Sequence, residues 1–127
     1  MVRIVALTGV LVTMGWARAA GAEAPPPIGV CAHLGGGQEF ADLERELDLM
    51  QAAGIRWARA DFTWGSLQPS ADRFVFERYD RVVEQALARG VTPLPILCYS
   101  SPWAGLAHEH LPAWTRFVET VVRRYGD

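Results

Sequence analysis

Residues 54–62 read GIRWARADF, a glycine followed at once by a run that alternates in the manner of a β-strand. Its odd-numbered positions carry Trp57, Arg59 and Asp61, whereas its even-numbered positions from 58 onward begin with two alanines. Side chains at alternate positions of a strand point to opposite faces of the sheet. We therefore expect a helix to pack closely on the alanine face and the charged groups to lie on the other face.

The glycine that opens this stretch recurs at a fixed interval. Gly54, Gly90 and Gly126 each end a segment with helical apolar spacing, and they stand 36 residues apart. Glycine just past a helix can adopt the left-handed C-cap conformation without a Cβ penalty. A strand-like run follows the first two at once, so the period predicts a series of βα units.

The apolar spacing predicts three strands and three helices. The strands are residues 28–33, 55–62 and 91–99, and the last contains Pro93 and Pro95, which are unfavourable inside a sheet because each removes a ladder donor. Pro112 suits the first turn of the third helix. The helical stripes are Phe40, Leu43, Leu47 and Met50; Tyr79, Val82, Val83, Ala86 and Leu87; and Trp114, Phe117, Val118, Val121, Val122 and Tyr125.

This alternation of strands and helices predicts an α/β fold with a parallel sheet, because parallel strands need crossover connections. Connections after the strands are long and rich in aromatic and polar residues, whereas those after the helices are little more than the glycine. The asymmetry is typical of a (β/α)8 TIM barrel, and a doubly wound sheet is the alternative. A barrel takes about 250 residues. We therefore expect a partial barrel of about the first three βα units, with open sheet edges and low stability alone.

The composition restricts the classes of partner. The chain has 127 residues, half of them apolar and a fifth charged, which suits a single globular domain. Its formal net charge is -2, and its twelve basic residues are arginines dispersed along the chain. Without a basic patch, nucleic acid is not an expected partner.

The first residues resemble an export signal. Arg3 precedes an apolar stretch over residues 4–16, and small residues follow at plausible cleavage sites. We expect residues 1–22 to be a signal peptide, 23–27 a Pro-rich spacer and 28–127 the barrel portion. The stretch is shorter than the roughly 20 residues of a spanning helix, so no stable membrane insertion is expected after cleavage. The predicted location is secreted or periplasmic.

The two cysteines fall in the first and third predicted strands. Neighbouring strands lie about 4.8 Å apart, so Cys31 and Cys98 would be separated by about 10 Å, beyond the reach of a disulfide. We expect buried free thiols.

Several polar and aromatic residues fall at, or just beyond, the C-terminal ends of the three predicted strands, where they would share one rim. Aromatic faces beside hydrogen-bonding groups suit a sugar, whose C–H faces stack on rings and whose hydroxyls need directional partners. An arginine directed inward from a strand end implies a carboxylate partner. The predicted substrate-binding residues are His33, Arg59, Asp61, Trp64, Tyr99 and Trp103.

Each of these residues also has a structural interpretation. The tryptophans could close the barrel mouth or pack beneath a loop, and Arg59 could pair with Asp61 without contacting a ligand. His33 could be a satisfied structural group.

Other motifs give little support for metal or cofactor chemistry. The run His108-Glu109-His110 matches no strong zinc pattern. Residues 35–37 are three glycines without the Lys and Ser/Thr of a phosphate loop, and they indicate a flexible rim. We predict no metal, no cofactor and no catalytic residue within this chain.

A set of motifs, taken in order, resembles the N-terminal part of clan A glycoside hydrolases, especially the family 39 and family 5 types. The matching runs are GIRWARADFTW at 54–64, LQP at 67–69, FVFERYDRVV at 74–83, ARGVTPLPIL at 88–97, SPWA at 101–104 and RYGD at 124–127. Gln68, where the family usually has glutamate, and Asp72-Arg73, where it usually has a glycine turn, depart from the pattern and affect the expected shape of that loop.

The resemblance implies a retaining glycosidase, in which two glutamates about 5 Å apart act as acid/base and nucleophile. In that clan the glutamates follow strands four and seven, which would lie beyond Asp127, so the chain itself is expected to be inactive. Arg59 matches the arginine that orients the nucleophile, and Trp64, Tyr99 and Trp103 match rim positions. The alternative is a non-catalytic exported protein that binds carbohydrate or has a structural role.

Overall fold

The computed structural model describes residues 28–37 and 39–126. The predicted signal segment and Pro-rich spacer lie outside these residues. The elements are β1 (Ile28–Cys31), α1 (Phe40–Ala52), β2 (Ile55–Thr63), α2 (Trp64–Leu67), α3 (Glu77–Ala88), β3 (Thr92–Cys98) and α4 (Leu111–Tyr125). None of the helices in this part of the chain is long and apolar enough to cross a bilayer.

The three strands form one parallel sheet in the order β1-β2-β3, as the alternation of elements predicts. In this register Arg59 lies opposite Cys31 on one side and Leu94 on the other. The C-terminal ends of all three strands therefore meet at one edge of the sheet.

The predicted boundaries differ from the structure in three places that affect this edge. β1 ends at Cys31 rather than at His33, and β3 ends at Cys98 rather than at Tyr99, so both site residues belong to the loops that follow. The connection after β2 begins with the short helix α2, which the sequence analysis did not predict.

Of the three glycines that stand 36 residues apart, two have the expected left-handed conformation. Gly54 and Gly90 have φ angles of 74° and 69°, the left-handed region that other residues rarely adopt. Gly126 has a φ of -93° and ends α4 with an N–H that donates to the Val122 carbonyl. The left-handed expectation is therefore wrong at Gly126.

The two faces of the sheet have opposite environments. The face that carries Ala58, Ala60 and Phe62 is completely buried beneath the helices, and full burial of a side chain like Phe62 contributes about 1.5–3 kcal/mol. The opposite face, here called the open face, bears exposed Trp57 and Leu94 together with Arg59 and Asp61 of β2. The helical residues buried in the core are Leu43, Leu47, Trp64, Leu67, Tyr79, Val82, Ala86, Phe117 and Val121.

The prolines of β3 are compatible with the sheet because of the direction of their backbone. Ala32 N–H donates to the Arg59 carbonyl, so Arg59 directs its backbone groups toward β1. The flanking residues of β2 then direct theirs toward β3, where they bond on either side of Pro93 and Pro95 in the observed register. Both proline nitrogens therefore face away from β2, at the far edge of β3, and no ladder bond between β2 and β3 is lost.

Arginines join neighbouring helices at the outer surface. Arg81 pairs with Glu44 at 3.0 Å and its guanidinium lies 4.0 Å from the centre of the Phe40 ring, which connects α3 to α1. Arg124 donates two hydrogen bonds to Asp80, at 2.7 and 2.6 Å, which connect α4 to α3. These contacts explain why charged residues line the seams between otherwise apolar helices.

The loop after β1, predicted to be a flexible rim at residues 35–37, is held at Gly35 and Gly36. A Cβ at Gly35 would lie 2.5 Å from the Asp61 carbonyl oxygen and 2.8 Å from the Tyr79 ring, so only glycine fits there. Arg78 donates to the carbonyls of Gly35 and Gly36. The loop is therefore fixed to α3 and to the end of β2.

Gln68 joins the loops that follow β2 and β3. Its side chain is completely buried, accepts a hydrogen bond from Trp64 Nε1 at 2.9 Å and donates to the Ala71 carbonyl at 3.0 Å. Its own carbonyl accepts the indole N–H of Trp103 at 2.8 Å and the hydroxyl of Ser101 at 3.4 Å. One buried residue therefore satisfies polar groups from both loops.

We predict that Asp80→Asn lowers the stability of the chain by up to about 1 kcal/mol at neutral pH. The hydrogen bonds from Arg124, and secondarily from Tyr125, hold the pKa of Asp80 below its ordinary value although burial opposes this. A depressed folded-state pKa contributes stability that is present above the unfolded-state pKa and is lost as pH falls through the folded-state value. Urea unfolding should therefore separate the two proteins at pH 7, and the gap should be smaller at pH 3. The control is Asp72→Asn in an exposed loop; a gap for Asp80→Asn that is as large at pH 3 as at pH 7 would contradict the prediction.

We also predict that Gln68→Glu lowers the free energy of unfolding by about 2–4 kcal/mol at neutral pH, because a buried carboxylate would face the Ala71 carbonyl. The protonated acid can donate to that carbonyl, so the pKa of the new group is raised. The stability that the protonated acid retains is then lost as pH rises through its folded-state pKa. The loss in free energy of unfolding should therefore be smaller at pH 4.5 than at pH 7.5. Gln85→Glu, beside Arg89, is the matched control with no expected loss. An equal penalty at both pH values would count against the interpretation.

Candidate functional site

Asp61 lies at the centre of a polar cluster at the C-terminal edge of the sheet. Asp61 is 8% exposed. One side chain from β2 and one from each of the loops after β1 and β3 approach its carboxylate. His33 Nδ1 lies 3.1 Å from Asp61 Oδ2, and the Tyr99 hydroxyl lies 3.5 Å from the same oxygen. Arg59 Nη2 lies 2.9 Å from Oδ1. The cluster therefore brings together four of the six predicted site residues.

Arg59 connects this carboxylate to β1. Its Nη1 donates to the Cys31 sulfur at 3.2 Å, and its contact with Asp61 Oδ1 is an ion pair without the linear geometry of a hydrogen bond. The hydrogen bond to Cys31 and the charge of Asp61 raise the pKa of Arg59, although desolvation opposes them. The guanidinium is therefore a fixed positive charge on the open face, and it is about one-third exposed.

The His33 contact defines which ring nitrogen carries a proton. An ionised carboxylate can only accept hydrogen bonds, so Nδ1 is the donor to Asp61 Oδ2. The His33 side chain is 73% exposed. Asp61 therefore holds Nδ1 of His33 while most of the side chain remains exposed.

Tyr99 follows β3 directly and has an unusual backbone. Its φ is 66°, in the left-handed region, and the residue is 64% exposed. A bulky residue in this region is strained, and such strain is concentrated at functional sites. The conformation presents the Tyr99 ring at the surface while its hydroxyl approaches Asp61.

The tryptophans belong to a second, aromatic group. The sequence analysis places Trp64 on the rim, but the structure buries it completely, with ring centroids 5.9 Å from Trp103 and 5.3 Å from Trp114. A buried ring offers no face to a sugar. Trp103 is half-buried, and since its indole N–H is bonded to Gln68, it can offer a ligand ring surface rather than this donor.

The thiols are free, as predicted, but the prediction that both are buried is wrong. Cys31 is exposed and Cys98 is partly buried. β2 separates their strands, as the disulfide argument requires. Burial, followed by the charge of Asp61, raises the pKa of Cys98, so this group remains a neutral thiol at physiological pH.

The residues 108–110 do not assemble a metal site. Glu109 Oε2 accepts the backbone N–H of Leu106 at 3.0 Å and so closes its own loop. Within residues 28–37 and 39–126, no three His, Cys, Asp or Glu side chains are grouped so that they could hold a metal ion.

Two grooves lie at opposite edges of the sheet, one beside β1 and one beside β3. One, of about 630 Å³, runs between β1 and α1 and is lined by residues that include His33, Leu49 and Ile55. The other, of about 210 Å³, lies between β3 and α4 and is lined by residues that include Leu97 and Val121. His33 lines the first groove, so the Asp61 cluster adjoins this groove at the C-terminal edge of the sheet.

Three residues that organise the site were not predicted. Cys31 contacts Arg59, and its position at the end of a predicted strand, two residues before His33, is a signal that could have been used. Gly35 and Gln68 act through close packing and burial, for which the residue types alone give no signal. Tyr79, predicted as an apolar residue of a helix, also accepts the Thr63 N–H through its hydroxyl at 3.3 Å.

Solved structures resemble this fold. A family 39 glycoside hydrolase from Bacteroides cellulosilyticus WH2 matches 78% of the chain with a TM-score of 0.64 and 21% identity. A beta-galactosidase from Halorubrum lacusprofundi matches 80% with a TM-score of 0.63 and 24% identity. The chain covers 22% and 19% of these two proteins, about a fifth of their length. No curated protein matches the chain.

The sequence also matches a family model. The model is Glyco_hydro_42, described as beta-galactosidase, and the match spans residues 38–119, more than half of the chain. This range includes α1, β2, α3, β3 and most of α4. The prediction of a clan A glycoside hydrolase from the sequence motifs is thereby confirmed, and the chain belongs to the Glyco_hydro_42 beta-galactosidase family.

Proposed function

We propose that this chain is the N-terminal part of an exported, retaining glycoside hydrolase that cleaves O-glycosidic bonds of a glycan. Residues 28–127 would form the first three βα units of a (β/α)8 barrel, after the signal peptide proposed for residues 1–22. The observation that carries the proposal is the charged Arg59, held by Asp61 and Cys31 at the C-terminal edge of a parallel sheet. That edge is where barrel enzymes of this type bind their substrates.

The roles of the residues follow from their exposure and chemistry. Arg59 would orient a carboxylate nucleophile, because a guanidinium binds carboxylates with directional, charge-assisted hydrogen bonds. His33 and Tyr99 would bind sugar hydroxyls, and the half-buried Trp103 would stack on the sugar ring. Asp61 lies beneath these groups.

The chain alone is proposed to be inactive. A retaining mechanism needs two carboxyl groups about 5 Å apart that flank the glycosidic bond. The glutamates in the described residues lie on helices or in their flanking loops, and no strand contains one. The acid/base and the nucleophile would therefore come from residues outside this chain.

The alternative is an exported protein that binds carbohydrate without hydrolysis. The exposed ring of Tyr99 beside hydrogen-bonding groups favours binding without requiring chemistry. Hydrolysis by the product of the complete open reading frame, with an Asn-Glu pair after its fourth strand, would separate the enzyme from this alternative.

We predict that the product of the complete reading frame hydrolyses 4-nitrophenyl β-galactoside and that the 127-residue chain does not. Arg59→Lys should lower kcat by about 100-fold, because a misplacement of about 1 Å at a catalytic group can cost that much. Steady-state kinetics and thermal unfolding would be measured together. Arg116→Lys, on the exposed surface of α4, is the matched control and should keep full activity.

Three results would overturn parts of this proposal. Turnover by the 127-residue chain would contradict its inactivity. Sugar binding without hydrolysis by the complete product would favour the binding protein, and an Arg59→Lys enzyme with normal kcat would remove Arg59 from the mechanism.

A further inference from the structure

We infer that Asp61 is a positioning residue, which fixes Arg59, His33 and Tyr99 and does not itself contact the sugar. This inference rests on the proposed function of the same site. It differs from the sequence-based expectation, in which Asp61 is one of the substrate-binding residues.

Burial separates Asp61 from the groups that it touches. The residue is 8% exposed, whereas Tyr99 is 64% exposed and the side chain of His33 is 73% exposed. A ligand that approaches this edge of the sheet meets these two side chains and Arg59 before it reaches the carboxylate. Direct recognition of a sugar hydroxyl therefore belongs to the outer groups.

The contacts of the carboxylate are divided between its two oxygens. Oδ2 accepts from His33 and Tyr99, and Oδ1 pairs with Arg59. His33 and Tyr99 come from the loops after β1 and β3, whereas Arg59 lies two residues before Asp61 on the same face of β2. A single buried acceptor restrains all three side chains before a ligand arrives, which lowers the entropy lost on binding.

Neighbouring residues fix the backbone that carries Asp61. Gly35 packs against its carbonyl oxygen so closely that a Cβ would clash, and the Tyr79 hydroxyl accepts the N–H of Thr63 two residues later. The Asp61 position is therefore set by the fold. A residue held in this way is suited to orienting others.

The test is a double-mutant cycle in the complete enzyme, with Asp61→Asn, Arg59→Lys and the double variant. If Asp61 acts through Arg59, Asp61→Asn should lower kcat by about 10- to 100-fold with KM little changed. The double variant should then be no slower than Arg59→Lys within about threefold, because the two residues act as one unit. Asp72→Asn is the matched control and should leave both constants unchanged.

The opposite results overturn the inference. A raised KM with a normal kcat for Asp61→Asn would indicate direct sugar binding, and additive losses in the double variant would show independent roles. If Asp61→Asn does not fold, Asp61→Glu replaces it, since the longer side chain keeps the charge and displaces Arg59. A lowered kcat with unchanged KM is again the supporting result, and a raised KM with unchanged kcat is again the contrary one.

A second measurement needs no substrate. NMR of the Arg59 side chain should show faster rotation of the guanidinium in Asp61→Asn than in the unsubstituted protein, although the hydrogen bond to Cys31 remains in both. Equal mobility in the two proteins would overturn the positioning role. If the complete product lacks hydrolytic activity, the proposed function fails, and the Arg59 spectrum still decides whether Asp61 positions it.

Discussion

The alternation of small apolar and charged side chains along β2 is the constraint on which both the packing and the site depend. Ala58 and Ala60 allow the helices to approach one face of the sheet, while Arg59 and Asp61 occupy the other. A shift of register by one residue would place both charges in the helical core, where an unpaired charge is very costly. The register of β2 that buries the alanines therefore also places Arg59 and Asp61 together on the open face.

The loops at the C-terminal edge of the sheet add rigidity to that arrangement. The first loop is fixed by Gly35 and Arg78, and the second and third are joined through Gln68 and Trp103. These contacts are made within the protein and hold the described parts of the loops against the sheet and the helices. A site held in this way loses less conformational freedom when a ligand binds.

Much of the fold could be predicted from local patterns. The helical stripes, the alternation in β2 and the glycines at 54 and 90 are decided by neighbours in sequence, so strand order and the faces of the sheet followed from them. The convergence of His33, Arg59, Asp61 and Tyr99 followed as well, because the C-terminal ends of parallel strands share one edge.

The remaining features depend on contacts between distant segments. Trp64 becomes a core residue because the loop after β3 covers it, and nothing in its own surroundings in the sequence indicates that cover. The same is true of Gly35, whose lack of a side chain matters only because the Asp61 carbonyl and the Tyr79 ring lie against it. Burial of this kind is a property of the assembled structure.

The orientation of Pro93 and Pro95 has a consequence for association between copies of the chain. The outer margin of β3 is an edge of the three-stranded sheet in the described residues. Two backbone positions at this margin have no N–H, so a strand from another copy cannot form a continuous ladder there. The prolines thus disfavour intermolecular β-pairing at this edge.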